Sequence, residues 1–417
     1  MANKSKSLIL SILVTVTHYY DYYLFGLLVA QISEYFLPKG DPNVQLMKVY
    51  FMMAIAYCAK PIGALILGRI GDIYGRASAF TLGLLATSVA SLLMAILPSY
   101  EKIGMLASFA MLVTRMIICA ATSSGSDGVR IYVYEKLNKK YQGLGAGLVA
   151  ASTLCGAVIA ACTVWIFSLN MFPRYSWRIA FALGAFLSLI VLMINKGSAL
   201  LDDDVVKNNN YHKYKNISIL KIIGENFRLF IVAVLLAGSI GSSRQFITVF
   251  FPTYASSLLL YVDVHVMRFY NVIGSVVEVL FCIIGGYLID LFGKKRIATI
   301  SALCLLLATM MMSYMINTGY ISINLYFLIC AVFSCLYVSG LLSFTQFIPS
   351  AVRYRLFNLA HAVGSIIISG STAFFAALLY KANIVWLPMV YYFVIILIMI
   401  GTIYLTGLKV FRKSISN

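Results

Sequence analysis

Among the ionisable residues inside long apolar runs of this sequence are Asp21, Lys60, Arg115, Asp127, Arg130, Arg244 and Glu278. A charge within a bilayer is costly, so such groups are either paired or serve a cargo or a proton. Asp21 is central in the first run and is the first choice for a proton-carrying or cation-pairing carboxylate facing a cavity. A structural pair with Lys60 is the alternative. Arg115 lies midway along the fourth run, and its fixed charge and forked donors suit a cargo carboxylate. Its alternative is a buried pair with Asp127 or Asp21. Arg244 is a second anion contact or the partner of Glu278, and Glu278 is the other candidate proton site. Asp127 and Arg130, three apart on one helix face, read as partners of each other. His18 titrates near neutral pH and shares a face with Asp21, although a packing role is the plainer reading. His361 reads as structural. Tyr19, Tyr20, Tyr22 and Tyr23 offer aromatic faces for a quaternary ammonium, or serve as packing and interface anchors. Tyr22 is taken as the site candidate among them.

The elements that position these residues follow from composition. The chain has 417 residues, 61% hydrophobic and only 11% charged. A soluble chain carries about a quarter charged residues. Apolar runs of roughly 20 residues, each long enough for a ~30 Å hydrocarbon core, recur at 8–37, 45–68, 77–97, 101–134, 142–170, 177–195, 226–260, 267–289, 297–316, 319–349, 356–380 and 384–408. In lipid the backbone is satisfied within each segment, so these are helices. The pattern is that of a multi-pass membrane protein. Lys4 and Lys6 before the first run mimic a secretory leader, but the run continues past Asp21 to Phe36 and reads as a retained helix. The net charge of +18 reflects basic loops rather than nucleic-acid binding. With both termini inside, twenty-one Lys and Arg fall on the cytoplasmic side and seven on the other, which sets the expected topology. The eight cysteines read as small apolar fillers. No metal-ligand spacing, nucleotide loop or cofactor motif appears, so neither an enzyme nor an ATP-driven pump is expected.

A second pattern joins the runs. Gly68-Arg69-Ile70-Gly71-Asp72-Ile73-Tyr74-Gly75-Arg76 recurs, at a shift of 218 residues, as Gly286-Tyr287-Leu288-Ile289-Asp290-Leu291-Phe292-Gly293-Lys294. Glycine, acid, glycine and base keep their spacing, and the first three runs map near the seventh, eighth and ninth. The chain therefore reads as a doubled membrane unit, as many secondary transporters are. The expected organisation is a six-helix bundle over 1–195, a cytoplasmic linker over 196–225 and a second bundle over 226–417. Gly68, Gly71 and Gly75 suit close helix approach and a tight turn. Asp72 suits the positive N-terminal end of a neighbouring helix. The Gly143-x-Gly145-x-Gly147 run reads as helix packing.

These residues resemble the major facilitator superfamily, whose signature between the second and third helices is met by Gly68, Asp72, Gly75 and Arg76. Tyr20-Asp21-Tyr22-Tyr23-Leu24-Phe25-Gly26, Lys60-Pro61-Ile62-Gly63 and Trp177-Arg178-Ile179-Ala180-Phe181 resemble motifs of its metabolite:proton symporters. The likeness is densest to the proline/betaine branch, whose first outer loop has a counterpart in Asp41-Pro42. The resemblance implies an all-α membrane protein of twelve helices in two pseudo-symmetric six-helix bundles. It implies a latch formed by Asp72 and Arg76, repeated at Asp290 and Lys294. It further implies a monomeric, proton-coupled carrier of a small zwitterion or carboxylate in a bacterial inner membrane, with protons and lipid as partners. Two departures stand out. His18 replaces the Glu usual three residues before the first-helix Asp, and Ser123-Ser124-Gly125 replaces Gly-Gly-Glu in the fourth helix. A dicarboxylate symporter of the 2-oxoglutarate type, or a non-transporting sensor with the same fold, are the alternatives.

Overall fold

The computed structural model describes residues 2–74, 76–123, 134, 138–169, 171–173, 175–196, 223–348, 353–382 and 384–407. Within these, the side chains of 2–11, 71–77, 80, 139, 195–196 and 353–355 are not described. All regular structure among the described residues is helical. Nine stretches there are long and apolar enough to cross a bilayer: Pro42–Ile70, Gln142–Phe167, Trp177–Ile194, Phe227–Leu258, Val264–Phe292, Lys294–Asn317, Ile323–Phe347, Leu356–Tyr380 and Leu387–Leu405. Ala2–Leu27 and the shorter apolar helices Thr81–Ile96 and Met105–Ala121 supply the other three positions of the expected twelve. Numbered in chain order, Ala2–Leu27 is the first span, Pro42–Ile70 the second and Leu387–Leu405 the twelfth.

Local chemistry explains where spans begin and end. Asp41 accepts from the Asn43 N–H at 3.1 Å, with Pro42 at the first helical position of the second span, where a missing N–H costs nothing. Asp263 opens the eighth span by accepting from His265 at 2.8 Å and Val266 at 3.2 Å. Those N–H groups, Val266 first, hold this exposed carboxylate below its ordinary pKa. The eighth span stops at Gly293, whose φ of +86° suits a residue without Cβ. The ninth begins one residue later, so the repeat motif is a one-residue turn in its second copy.

The same helix pairs recur in each half. The first span packs on the fifth, the second on the fourth and the third on the sixth. Correspondingly the seventh packs on the eleventh, the eighth on the tenth and the ninth on the twelfth. This is the pseudo-symmetry of two six-helix bundles. The halves meet along two symmetry-related seams, fifth against eighth and second against eleventh. In the first seam a Cβ on Gly143 would lie 2.5 Å from the Gly286 carbonyl oxygen, and one on Gly147 equally close to that of Cys282. Small residues let these backbones touch, as the glycine run predicts. Gly68 behaves otherwise: a Cβ there meets nothing within 4 Å. The close approach on that helix is made by Gly63, where a Cβ would overlap the Ala120 backbone of the fourth span.

Two of the described spans contain π-helical turns. The seventh contains π-helical turns at Phe246–Phe250 and Tyr254–Leu258, and the eleventh contains one at Ser365–Ser369. Such turns often mark functional positions, and both helices here face the opposite half.

Candidate functional site

Between the halves lies a cavity walled by spans one, two and four on one side and seven, ten and eleven on the other. His18, Tyr19, Tyr22, Tyr23 and Lys60 face it from the N-terminal half; Arg244, Gln245, Tyr337, His361 and Ser365 face it from the C-terminal half. Two fixed cations and two imidazoles thus line it, and no Asp or Glu does so among the described residues.

Lys60 is the residue that sequence reasoning underrated. Its ammonium donates to Ser365 Oγ across the seam at 3.3 Å. It also lies 4.9 Å from the Tyr22 ring centre and 4.6 Å from that of Tyr57, close enough for cation–π attraction. Its presence as a base within an apolar run was the available signal. Arg244 donates from both terminal nitrogens to Thr153 Oγ1 at 3.4 Å and sits 4.2 Å above the Tyr337 ring. Its Nε has no hydrogen-bond partner, nor does His18 Nε2. Next to Arg244, Gln245 donates to the Tyr22 hydroxyl at 3.2 Å and bonds the Tyr57 hydroxyl, while the two tyrosine hydroxyls bond each other. This cluster ties the first, second and seventh spans together at one wall of the cavity. Tyr20 points elsewhere and donates to the Ala180 carbonyl at 2.8 Å.

Two expected cavity residues lie outside it. Asp21 is fully buried within the N-terminal half, where Ser91 Oγ donates to its Oδ1 at 2.7 Å. Gly184 of the sixth span makes the room, since a Cβ there would overlap the carboxylate. Asp21 sits on the third- and sixth-span side of its helix and does not line the cavity. Arg115 is also turned inward. It donates to the Tyr22 carbonyl at 3.0 Å and the Asp21 carbonyl at 3.5 Å, with its guanidinium 4.9 Å from the Phe25 ring centre. It braces the first span rather than facing cargo space. Glu278 is buried behind the wall and is not a lining residue. No ion pair joins it to Arg244, and none joins Lys60 to Asp21. The ion pair recorded among the described residues is the exposed Lys39–Glu101 contact at 3.0 Å. Asp127 and Arg130 lie outside the described residues, as do Gly75 and the side chains of Asp72 and Arg76.

The second copy of the repeat motif is visible and bridges the halves. Asp290 accepts from the Gly143 N–H at 2.7 Å and the Leu144 N–H at 2.8 Å. A carboxylate thus caps the positive N-terminal end of the fifth span from the other half. Lys294 donates to Gln346 at 2.5 Å, and Gln346 donates to Gln142 at 3.3 Å. At the opposite end, Val249 fills the space left by Gly26, and Tyr50 lies 6.1 Å from Phe250, centre to centre. The cavity is therefore bounded by contacts between halves at both ends.

Two pseudo-symmetric helical bundles enclosing a central cationic cavity define a membrane transporter rather than an enzyme. The chain matches the family model described as Major Facilitator Superfamily over residues 11–369, and it belongs to that family. It is similar to the glycine betaine/proline/ectoine/pipecolic acid transporter OusA of Dickeya dadantii, 23% identical over 99% of this chain and 84% of that protein. It is equally similar to the citrate-proton symporter of Salmonella typhi, 23% identical over 87% of this chain and 84% of that one. Among solved structures, the proton:xylose symporter XylE bound to 6-bromo-6-deoxy-D-glucose superposes with a TM-score of 0.73 at 14% identity, covering 98% of this chain and 95% of the other.

Proposed function

We propose that this transporter imports a small carboxylate-bearing metabolite across a bacterial inner membrane, driven by inward proton movement, with both termini cytoplasmic. The observation that carries the reading is the cavity wall, with Lys60 and Arg244 entering from opposite halves and no acid among the described lining residues. Two desolvated cations are stabilised by an anion placed between them. A cargo carboxylate supplies that charge, and a dicarboxylate supplies it to both halves at once. The rings of Tyr22, Tyr57 and Tyr337 already face protein cations, which favours a net anion over a quaternary ammonium. A zwitterion such as proline or betaine is the second reading, supported by the likeness to the Dickeya glycine betaine/proline transporter. In either case Arg244 and Lys60 hold the carboxylate, and His18 and Tyr22 shape the wall. The halves rock about the cavity, opening in turn the latch at Asp290 and Lys294 and the contacts at the far end.

Uptake into proteoliposomes tests this. Labelled 2-oxoglutarate, citrate, proline and betaine are offered with and without an alkaline interior. Accumulation of a carboxylate that collapses with a protonophore is the expected result. Accumulation of the zwitterions alone replaces the cargo assignment, and binding without flux removes the transport reading.

A further inference from the structure

Glu278 projects from the eighth span into the interior of the C-terminal half, 1% exposed, and neither carboxyl oxygen has a hydrogen-bond partner. Around it, Ser275 Oγ on the same helix and the Tyr392 hydroxyl of the twelfth span are also buried without partners. The titratable and charged groups within electrostatic reach come from each neighbouring span. They are Arg244 from the seventh, Tyr326 and Cys330 from the tenth, Tyr392 from the twelfth and Cys282 from its own helix. Arg244 is the cation of this set, yet its guanidinium is turned to Thr153 and the Tyr337 ring instead of closing on the carboxyl group.

An ionised carboxylate held out of water with both oxygens bare is strongly disfavoured. A neutral carboxylic acid in the same place costs far less. The geometry thus fits the protonated form of Glu278, in a compartment separated from the cavity. Arg244 belongs to both places, since it lines the cavity and stands within reach of Glu278.

We propose that Glu278 carries the coupling proton, and that Arg244 is the link between that proton and the cargo. This deepens the symport reading above and rests on it. With Glu278 protonated, Arg244 has no competing anion and accepts the cargo carboxylate. When cargo leaves to the inside, Glu278 releases its proton to water there and its carboxylate becomes the counter-charge of Arg244. One proton therefore enters with each transit, and no bond other than O–H is made or broken. Asp21 takes no part, because Ser91 donates to it and the arginine near it, Arg115, does not line the cavity.

Infrared spectroscopy of the full-length protein in lipid vesicles reads a protonated carboxyl group through its C=O stretch, without any cargo. The expected result is a component at neutral pH that Glu278→Gln removes, Glu278→Asp shifts and Asp21→Asn leaves in place. A spectrum unchanged by Glu278→Gln overturns the assignment. In proteoliposomes, a pH gradient of about one unit drives about tenfold accumulation per coupled proton. Glu278→Gln should equilibrate labelled citrate or 2-oxoglutarate without accumulating it, and Asp21→Asn should accumulate as wild type does. Full accumulation by Glu278→Gln overturns the inference alone. Failure of the wild type to accumulate any carboxylate overturns the symport reading on which it rests.

Discussion

Asp21 and Glu278 are both carboxylic acids buried in spans next to the cavity, one in each half, yet their surroundings differ. Asp21 has a hydroxyl donor in Ser91 and a cradle opened by Gly184. Glu278 has neither donor nor cradle. The arginines repeat the contrast. Arg115 gives its terminal nitrogens to two backbone carbonyls of the first span and does not line the cavity, whereas Arg244 shares its own on one hydroxyl, Thr153 Oγ1, and faces cargo space. In the N-terminal half buried charge braces helices; in the C-terminal half it stays available. Lys60 is the exception that joins them. It occupies the position that the 218-residue repeat assigns to Glu278, so a base in one half stands where the other half has an acid. The lesson is that a buried charge is structural or functional according to how fully its own half satisfies it.

Substitutions sharpen that contrast. The largest effect is expected at Arg115→Ala, which removes charged hydrogen bonds and leaves a void. About 3 kcal/mol of stability should be lost, seen as a lower thermal midpoint in detergent, with the KM of the folded fraction unchanged. Arg244→Gln should do the reverse. Its midpoint stays near wild type while KM for a carboxylate rises about tenfold to a hundredfold, measured by initial uptake rates. Equal loss of stability in both variants would erase the distinction between halves. Gly184→Ala drives a methyl group into Asp21 and should cost about 2 kcal/mol, again by thermal unfolding, without altering cargo preference. The smallest effect is expected at Asp290→Asn, which keeps an acceptor at the fifth-span terminus but removes its charge. About 0.5–1 kcal/mol of the contact between halves should go, read as faster labelling of a cysteine placed at Gln346.

Much of this was legible in the residue order. The apolar runs give the helices because their length matches the bilayer, and Gly143 and Gly147 give the tightest seam because only small residues allow it. The expectation of a helix N-terminus was drawn for Asp72, whose side chain lies outside the described residues; its repeat counterpart Asp290 caps the fifth span. The facing of Asp21 and Arg115 was not legible. Helices that are apolar on every side carry no periodic signal of which face meets lipid, neighbour or cavity. The Tyr22–Tyr57–Gln245 cluster was hidden for a related reason. It joins residues far apart in sequence, and Gln245 stands at the start of a π-helical stretch that shifts the helix phase.

The sequence by itself therefore determined a doubled, twelve-helix membrane carrier, because hydrophobic length and repeated punctuation are local properties of the chain. Only the tertiary structure decided which charges the cavity receives. Rotation of each helix about its axis is set by packing against neighbours, and a turn of a few tens of degrees moves a carboxyl group from cargo space into a hydrogen-bonded interior.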